Sequence, residues 1–142
     1  MEFMEAAIEQ ALKSDGDIPV GAVIVKDGAI IAKACNTREK DNDVTSHAEI
    51  IAIRTAEKVL NNWRLDGCEL YVTLEPCPMC AWAILQSRIK TVYFGSYDIN
   101  YGALGSSVDL RKLANSKMNV YGGIYEDKCN EILESFFKTL RG

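Results

Sequence analysis

Three potential metal ligands, divided between two short segments, constrain this chain more than any other feature. His47 is the only histidine and stands two residues before Glu49. Further along, residues 76–80 read Pro-Cys-Pro-Met-Cys, which places Cys77 and Cys80 in a Cys-x-x-Cys pair. One imidazole and two thiolates are good ligands for zinc, but they are one fewer than the usual tetrahedron requires. The remaining position has room for a water molecule.

Both ligand groups lie where the sequence predicts the start of a helix. Thr45 and Ser46 are favourable N-cap residues for a helix that begins near His47. In residues 76–80 the prolines suit the first turn of a second helix, because a proline has no N–H group to leave unpaired there. The two cysteines then lie one turn apart on one face. If both helix starts meet at the end of a sheet, their partial positive charge stabilises the thiolates.

The rest of the chain alternates between strands and helices. Strands are predicted at residues 18–25, 29–35, 70–74, 91–95 and 120–123, the last of them at an edge of the sheet. An Asp-Gly turn joins the first two strands. Helices are predicted at 3–13, from 47 to about 61–62, at 76–87 and at 126–140. The crossover strands 70–74 and 91–95 should run parallel. We therefore expect one mixed sheet with helices on both faces, in the α/β class.

Two polar segments, 36–43 and 96–107, have no apolar periodicity and are predicted to be loops. The first is either a solvated connector or part of an active site. Because it leads directly into His47, the active-site interpretation is favoured.

Length and composition favour a single domain over residues 1–142, with no linker or internal repeat. The apolar fraction is 48% and the charged fraction 25%, which is typical of soluble globular proteins. No apolar run approaches the roughly 18 residues of a membrane span, and residues 1–5 lack the features of a signal peptide. We expect a cytoplasmic protein with no membrane partner. The net charge of −4 counts against a nucleic-acid partner, although a local basic patch would suffice.

Glu49 fits a proton carrier better than a fourth ligand. Zinc lowers the pKa of a bound water toward about 7. A carboxylate beside that water can take its proton and pass it to the reacting molecule and its leaving group. In zinc-dependent deaminases the acid two residues after the histidine has this role.

A closed structural zinc site is the main alternative to a catalytic one. Cys35, Cys68 or Cys129 would complete a Cys₃His site. Cys35 ends a predicted strand and Cys129 falls on the apolar face of a predicted helix, so both fit small buried residues instead. A Cys-x-x-Cys redox pair would not account for His47 and Glu49 at a helix start.

With these residues in place, the chain resembles the cytidine deaminase-like superfamily, and within it the bacterial tRNA-specific adenosine deaminases. Segments 46–49 and 70–80 carry the known His-x-Glu and Pro-Cys-x-x-Cys signature. The resemblance extends over nearly the whole chain, through Pro19–Val23, Asn62–Leu65, Ser87–Ile89, Gly102–Ser106 and Cys129 with Phe136-Phe137. Trp82 departs from the family pattern, which often has a small residue there.

This resemblance implies a three-layer α/β/α fold with a five-stranded mixed sheet. It implies one Zn²⁺ per subunit, held by His47, Cys77 and Cys80, with Glu49 as the catalytic residue. It also implies a homodimer that converts the wobble adenosine of a tRNA anticodon stem-loop to inosine. The substrate-binding residues implied by the resemblance are Asn36, which would bond the flipped base, and Ala48 and Asp98.

Two other functions stay open from the sequence. One is a deaminase of a free nucleobase or nucleoside, of the guanine or cytosine type, that uses the same zinc site. The other is a zinc-stabilised binding module without catalysis. An RNA enzyme would need a basic rim around its pocket, for which the candidates are Arg38, Lys40, Arg54, Arg64, Lys128 and Lys138.

Overall fold

Five strands form one mixed sheet in the computed structural model, which describes residues 2–141. The strands are β1 (Gly21–Lys26), β2 (Ala29–Cys35), β3 (Glu69–Leu74), β4 (Thr91–Ser96) and β5 (Asn119–Tyr121). Their order across the sheet is β2-β1-β3-β4-β5. β1 pairs antiparallel with β2 and β3, whereas β3, β4 and β5 run parallel. The predicted mixed sheet and its parallel crossover are confirmed.

Helices cover both faces of this sheet. They are α1 (Glu2–Ala11), α2 (Arg38–Asp41), α3 (Ala48–Leu60), α4 (Pro78–Gln86), α5 (Leu110–Ala114) and α6 (Glu126–Arg141). On one face α1 and α6 bury Met4 and Cys129 against Val23 and Tyr71. On the other face α3 and α4 pack against the alternate side chains of the same strands, including Ile24. The result is the expected three-layer α/β/α architecture.

Glycines allow two helices to lie close to the sheet. A Cβ placed on Gly21 would collide with backbone atoms of Ala7 and Ala11 in α1. A Cβ on Gly95 would collide with the Cys129 side chain of α6 and with a carbonyl oxygen of β3. At both positions glycine is needed because a helix backbone or side chain occupies the space of a side chain.

The boundaries of several elements differ from those predicted. The first helix ends at Ala11 rather than at residue 13, and the first strand begins at Gly21 rather than at residue 18. Pro19 lies in the part that does not pair, since proline cannot donate a ladder hydrogen bond. The last strand covers Asn119–Tyr121 instead of residues 120–123.

Two short helices and one cap were not foreseen. Segment 36–43, predicted as a loop, contains α2, and the helix α5 follows the predicted loop 96–107. The N-cap of α3 is His47 itself rather than Thr45 or Ser46. Among the helices of the described residues, none is long and apolar enough to span a bilayer.

Candidate active site

His47, Cys77 and Cys80 come together at one end of the sheet. The Nδ1 atom of His47 lies 3.7 Å from the sulfur of Cys77 and 3.4 Å from that of Cys80. The three ligand atoms all lie within 4.8 Å of one another. Tetrahedral coordination with usual zinc bond lengths places a nitrogen and a sulfur about 3.6 Å apart. The cluster therefore has the donor atoms and the spacing that zinc requires.

Two helix starts hold the ligands in place. His47 is the N-cap of α3 and Cys77 is the N-cap of α4, with Pro78 in the first turn. The His47 side chain makes no capping hydrogen bond to α3, and its Nδ1 faces the two cysteine sulfurs instead. Cys80 lies one turn into α4 and is fully buried. The two positive helix ends thus meet at the cluster, as the sequence predicted.

The electrostatics of the cluster favour a thiolate. A hydrogen bond from the Cys80 thiol lowers the pKa of Cys77 to about 4, and His47 adds to this effect. The same hydrogen bond, together with burial, raises the pKa of Cys80. The pKa of His47 is raised by its own hydrogen bond to Cys77. These hydrogen bonds favour a thiolate at Cys77, which is the form that coordinates a metal.

Glu49 lies in the first turn of α3 and is only 4% exposed. Burial raises the pKa of its carboxyl group to about 7. Its carboxylate lies outside the group of three ligand atoms but lines the same cavity as His47 and Cys77. A group with this pKa can accept and return a proton at neutral pH, which a permanently charged carboxylate does less readily.

A cavity of about 240 Å³ opens beside the cluster. Drug-sized ligands occupy sites of about 300–1,000 Å³, so this cavity suits a single base better than a larger ligand. A larger groove of about 550 Å³ runs along α5 and β5, but it contains none of the candidate ligands. The smaller cavity is lined by Asp17, Ile18, Val20, Asn36, Arg38, His47, Glu49, Leu74, Glu75, Cys77, Asp98 and Tyr101.

The predicted substrate-binding residues occupy different places. Asn36 lines the cavity; its Oδ1 accepts a hydrogen bond from the Ala48 N–H (2.7 Å), and its Nδ2 donates to the Ile18 carbonyl (3.0 Å). These bonds fix the amide and leave one N–H and one lone pair for a ligand. Ala48 is fully buried and contributes its backbone to Asn36. Asp98 lines the cavity, and its Oδ1 accepts from the backbone N–H groups of Asn100 and Tyr101.

Two buried carboxylates that sequence reasoning did not single out also line the cavity. Asp17 accepts from the Glu39 N–H (3.2 Å) and so fixes the start of α2. Glu75 accepts from the loop that carries Asp98. A charged residue that directly follows a buried strand was the available signal for Glu75. Among the six candidates for a basic rim, Arg38 is the one that lines this cavity.

Residues 1–96 match the family model of the cytidine and deoxycytidylate deaminase zinc-binding region. The chain belongs to this family of zinc-dependent deaminases. It is 43% identical to the tRNA-specific adenosine deaminase of Bacillus subtilis (strain 168), with 98% of this chain and 89% of that protein covered. The resemblance inferred from the motifs, to the superfamily and to its tRNA-specific members, is confirmed.

Solved structures of other deaminases share the fold. A structure from studies of A-to-I editing by tRNA:A34 deaminases superimposes with a TM-score of 0.85 at 42% identity, covering 93% of this chain and 99% of the other. A guanine deaminase from Bacillus subtilis matches at a TM-score of 0.61 and 40% identity, covering 83% of this chain and 69% of the other. Both the fold class and the assignment as a deaminase are confirmed.

The cofactor of this deaminase is zinc, and the His/Cys/Cys cluster is compatible with it. In the described part of the chain, the cysteines Cys35, Cys68 and Cys129 do not join the cluster. Cys129 is buried, as predicted, and packs on α1 and the sheet, whereas Cys35 is half-buried. Three ligands without a fourth protein donor are typical of catalytic rather than structural zinc sites.

Proposed function

We propose that this deaminase converts the wobble adenosine of a tRNA anticodon loop to inosine in the cytoplasm. The observation that carries the proposal is the buried Glu49 carboxylate beside the His47, Cys77 and Cys80 cluster, in a cavity with space for one base. The relatives that are tRNA-specific adenosine deaminases support the choice of substrate.

The reaction consumes one water and releases one ammonia. Zinc, when bound by His47, Cys77 and Cys80, supplies a water of lowered pKa at the base. Glu49 carries one proton of that water to a ring nitrogen of the adenine and the other to the departing amine. The bond from C6 to the exocyclic nitrogen breaks and a bond from C6 to oxygen forms, which gives inosine. Because Glu49 is buried beside the cluster, its carboxyl group is held within the cavity for both transfers.

Asn36 orients the base in this proposal. Its amide is held by Ala48 and Ile18, so the remaining N–H and lone pair point in fixed directions. A pre-oriented donor and acceptor select a base without a further loss of side-chain freedom on binding. Ala48 contributes indirectly, through its backbone N–H.

The mouth of the cavity meets the RNA chain around the flipped base. Asp98 and Arg38 line this mouth, and the exposed Tyr101 ring offers a stacking surface for a neighbouring base. A carboxylate repels phosphates, so Asp98 contacts the backbone by accepting from a sugar hydroxyl, whereas Arg38 can pair with a phosphate. An unstacked anticodon base costs less to flip than a base in a duplex.

We propose a homodimer with one zinc ion per subunit. Met79 and Trp82 lie one turn apart on α4, and the Trp82 side chain is 39% exposed. Large apolar side chains on an exposed helix face are typical of association surfaces. A second copy of the chain is the occupant we assign to this face.

A second candidate function is deamination of a free base. The similarity to a guanine deaminase at 40% identity favours it. The tRNA:A34 deaminase structure fits better, with a TM-score of 0.85 against 0.61.

The test of the proposed function is inosine formation in an anticodon stem-loop that has adenosine at the wobble position. Nuclease digestion followed by mass spectrometry identifies the converted nucleotide. We expect inosine at that position and no change at adenosines in the stem. A zinc-loaded protein that leaves every adenosine unchanged would contradict the proposal.

A further inference from the structure

Glu75 is a buried carboxylate that the chemistry at the zinc cluster does not use. It follows β3 directly, precedes the Pro76–Cys80 segment and is only 2% exposed. It also lines the cavity, on the side of Asp98. A charge buried to this degree is costly unless several hydrogen bonds compensate it.

Those hydrogen bonds come from a single loop, residues 98–106. The Oε1 atom of Glu75 accepts from the Asp98 N–H (3.1 Å) and from the Ser106 hydroxyl. The Oε2 atom of Glu75 accepts from the N–H groups of Leu104 (3.2 Å) and Ser106 (3.0 Å). Four donors occupy the two oxygens, so the carboxylate serves as a hydrogen-bond acceptor for the loop.

Gly102 shows how closely the loop is drawn onto this carboxylate. A Cβ at Gly102 would collide with the carboxyl carbon of Glu75 and with the Asp98 carbonyl oxygen. The Gly102 N–H donates to that same carbonyl (2.7 Å), which closes the loop on itself. The loop is thus wrapped around Glu75, with Asp98 and Tyr101 left at the mouth of the cavity.

We propose that Glu75 is a positioning residue that fixes loop 98–106, so that Asp98 and Tyr101 meet the RNA around the target base. The carboxylate touches the loop rather than the reacting atoms. It sets how well the substrate is held, and Glu49 sets how fast the held substrate reacts. The kinetic part of this inference rests on the proposed function, whereas the structural part does not.

Glu75→Gln tests the structural part, because the geometry predicts which bond breaks. An amide nitrogen in place of Oε2 would face two fixed N–H donors, from Leu104 and Ser106. An amide nitrogen in place of Oε1 would face one fixed donor, the Asp98 N–H, and the Ser106 hydroxyl, which can rotate and accept a hydrogen bond. The variant therefore adopts the second orientation, and the Asp98 N–H loses its acceptor.

Hydrogen exchange followed by NMR measures this directly. In Glu75→Gln we expect the Asp98 amide to exchange about tenfold faster or more, with Leu104 and Ser106 within about threefold of wild type. Glu69→Gln, at the other end of the same strand, is the matched control because Glu69 bonds the Tyr93 hydroxyl instead of the loop. Unchanged Asp98 exchange in Glu75→Gln would overturn the proposal, whatever the activity.

Steady-state kinetics on the anticodon stem-loop test the functional part. Glu75→Gln should raise KM about tenfold, while kcat changes less than about twofold and zinc content stays at wild-type level. A loss confined to kcat would contradict a positioning role, and so would faster Asp98 exchange with an unchanged KM. If wild-type protein converts no stem-loop, the proposed function fails. The exchange data alone then decide whether Glu75 fixes loop 98–106.

Gly102→Ala provides a second route if Glu75→Gln does not fold. Its methyl group must separate the loop from the carboxylate, so the same rise in KM and the same faster Asp98 exchange are expected. Wild-type values for both measurements in Gly102→Ala would overturn the proposal independently.

Discussion

At the scale of single residues, the proposed role of Glu49 as the proton carrier predicts that turnover depends on its carboxyl group. Glu49→Gln keeps the shape of the side chain but cannot carry a proton. We expect zinc content to stay at the wild-type level and inosine formation to fall about 10²–10⁴-fold. Zinc analysis and turnover measured on the same sample check this. Glu57→Gln, further along α3, serves as the control and should retain full turnover; a zinc-loaded, fully active Glu49→Gln protein would refute the role.

Two buried cysteines separate metal binding from simple burial. Cys80 belongs to the ligand cluster, whereas Cys68 is equally buried but lies in the apolar core. We expect Cys80→Ser to lose most of its zinc at micromolar concentrations and Cys68→Ser to keep it, because only the first change removes a thiolate ligand. Metal content after dialysis measures the difference. Equal zinc retention in the two variants would rule out Cys80 as a ligand.

The residue types of the zinc cluster could be predicted because each has an unusual chemistry and spacing. His47, Cys77 and Cys80 form the expected group, and Glu49 lies buried beside it. The hydrogen bonds of Asn36 to Ala48 and Ile18 could not be predicted, since they join segments that meet only in the folded chain. The hydrogen bonds of the Glu75 carboxylate could not be predicted for the same reason, because its four donors come from a loop distant in sequence.

At the scale of elements, α5 depends on a single acidic residue. Asp109 is its N-cap: the carboxylate accepts from the Arg111 N–H (3.1 Å) and pairs with the Arg111 guanidinium (2.8 Å). Asp109→Ala removes the cap and the ion pair, and we expect it to lower the free energy of unfolding by about 1–2 kcal/mol. Asp109→Asn keeps a capping oxygen and should cost less. Urea denaturation of the three proteins provides the values; equal stabilities would show that the cap contributes nothing.

This contribution of Asp109 should depend on pH in a defined direction. The hydrogen bonds and charge of Arg111 hold the pKa of Asp109 below its usual value of 3.8. A lowered folded-state pKa means that the stabilisation is complete above the unfolded-state pKa and is lost as the pH falls through the folded-state value. The difference between wild type and Asp109→Ala should therefore be constant from pH 7 to about pH 5 and shrink below pH 3.8. A difference that grows on acidification would contradict the assignment.

Long elements with regular patterns could be predicted from the sequence, whereas the two short helices could not. The apolar run of β1 and the periodic apolar face of α6 correspond to the elements observed. α2 and α5 have only four and five residues, too few for a periodic pattern. Their signals are local: each ends at an asparagine in the left-handed conformation, Asn42 and Asn115, and α5 begins after the capping Asp109.

At the scale of the whole molecule, the proposed homodimer depends on the exposed face of α4. Trp82→Glu places a charge on that face, so we expect the variant to be monomeric at concentrations where wild type is dimeric. Its Tm should stay close to the wild-type value if the subunit folds by itself. Trp63→Glu is the matched control, because Trp63 is 57% exposed and lies after α3, beside Arg54 and Asn61 rather than on α4. Sedimentation equilibrium gives the masses, and a monomeric wild type would refute the dimer.

The proposed function requires that the cavity receives one adenosine presented by an RNA loop. The most direct measurement compares kcat/KM of the zinc-loaded protein for an anticodon stem-loop with the values for free adenosine, guanine and cytosine under the same conditions. Because contacts outside the reacting base stabilise the transition state, we predict that kcat/KM for the stem-loop is higher by a factor of about 100 or more. Turnover of a free base, with none on the stem-loop, would contradict the proposed function.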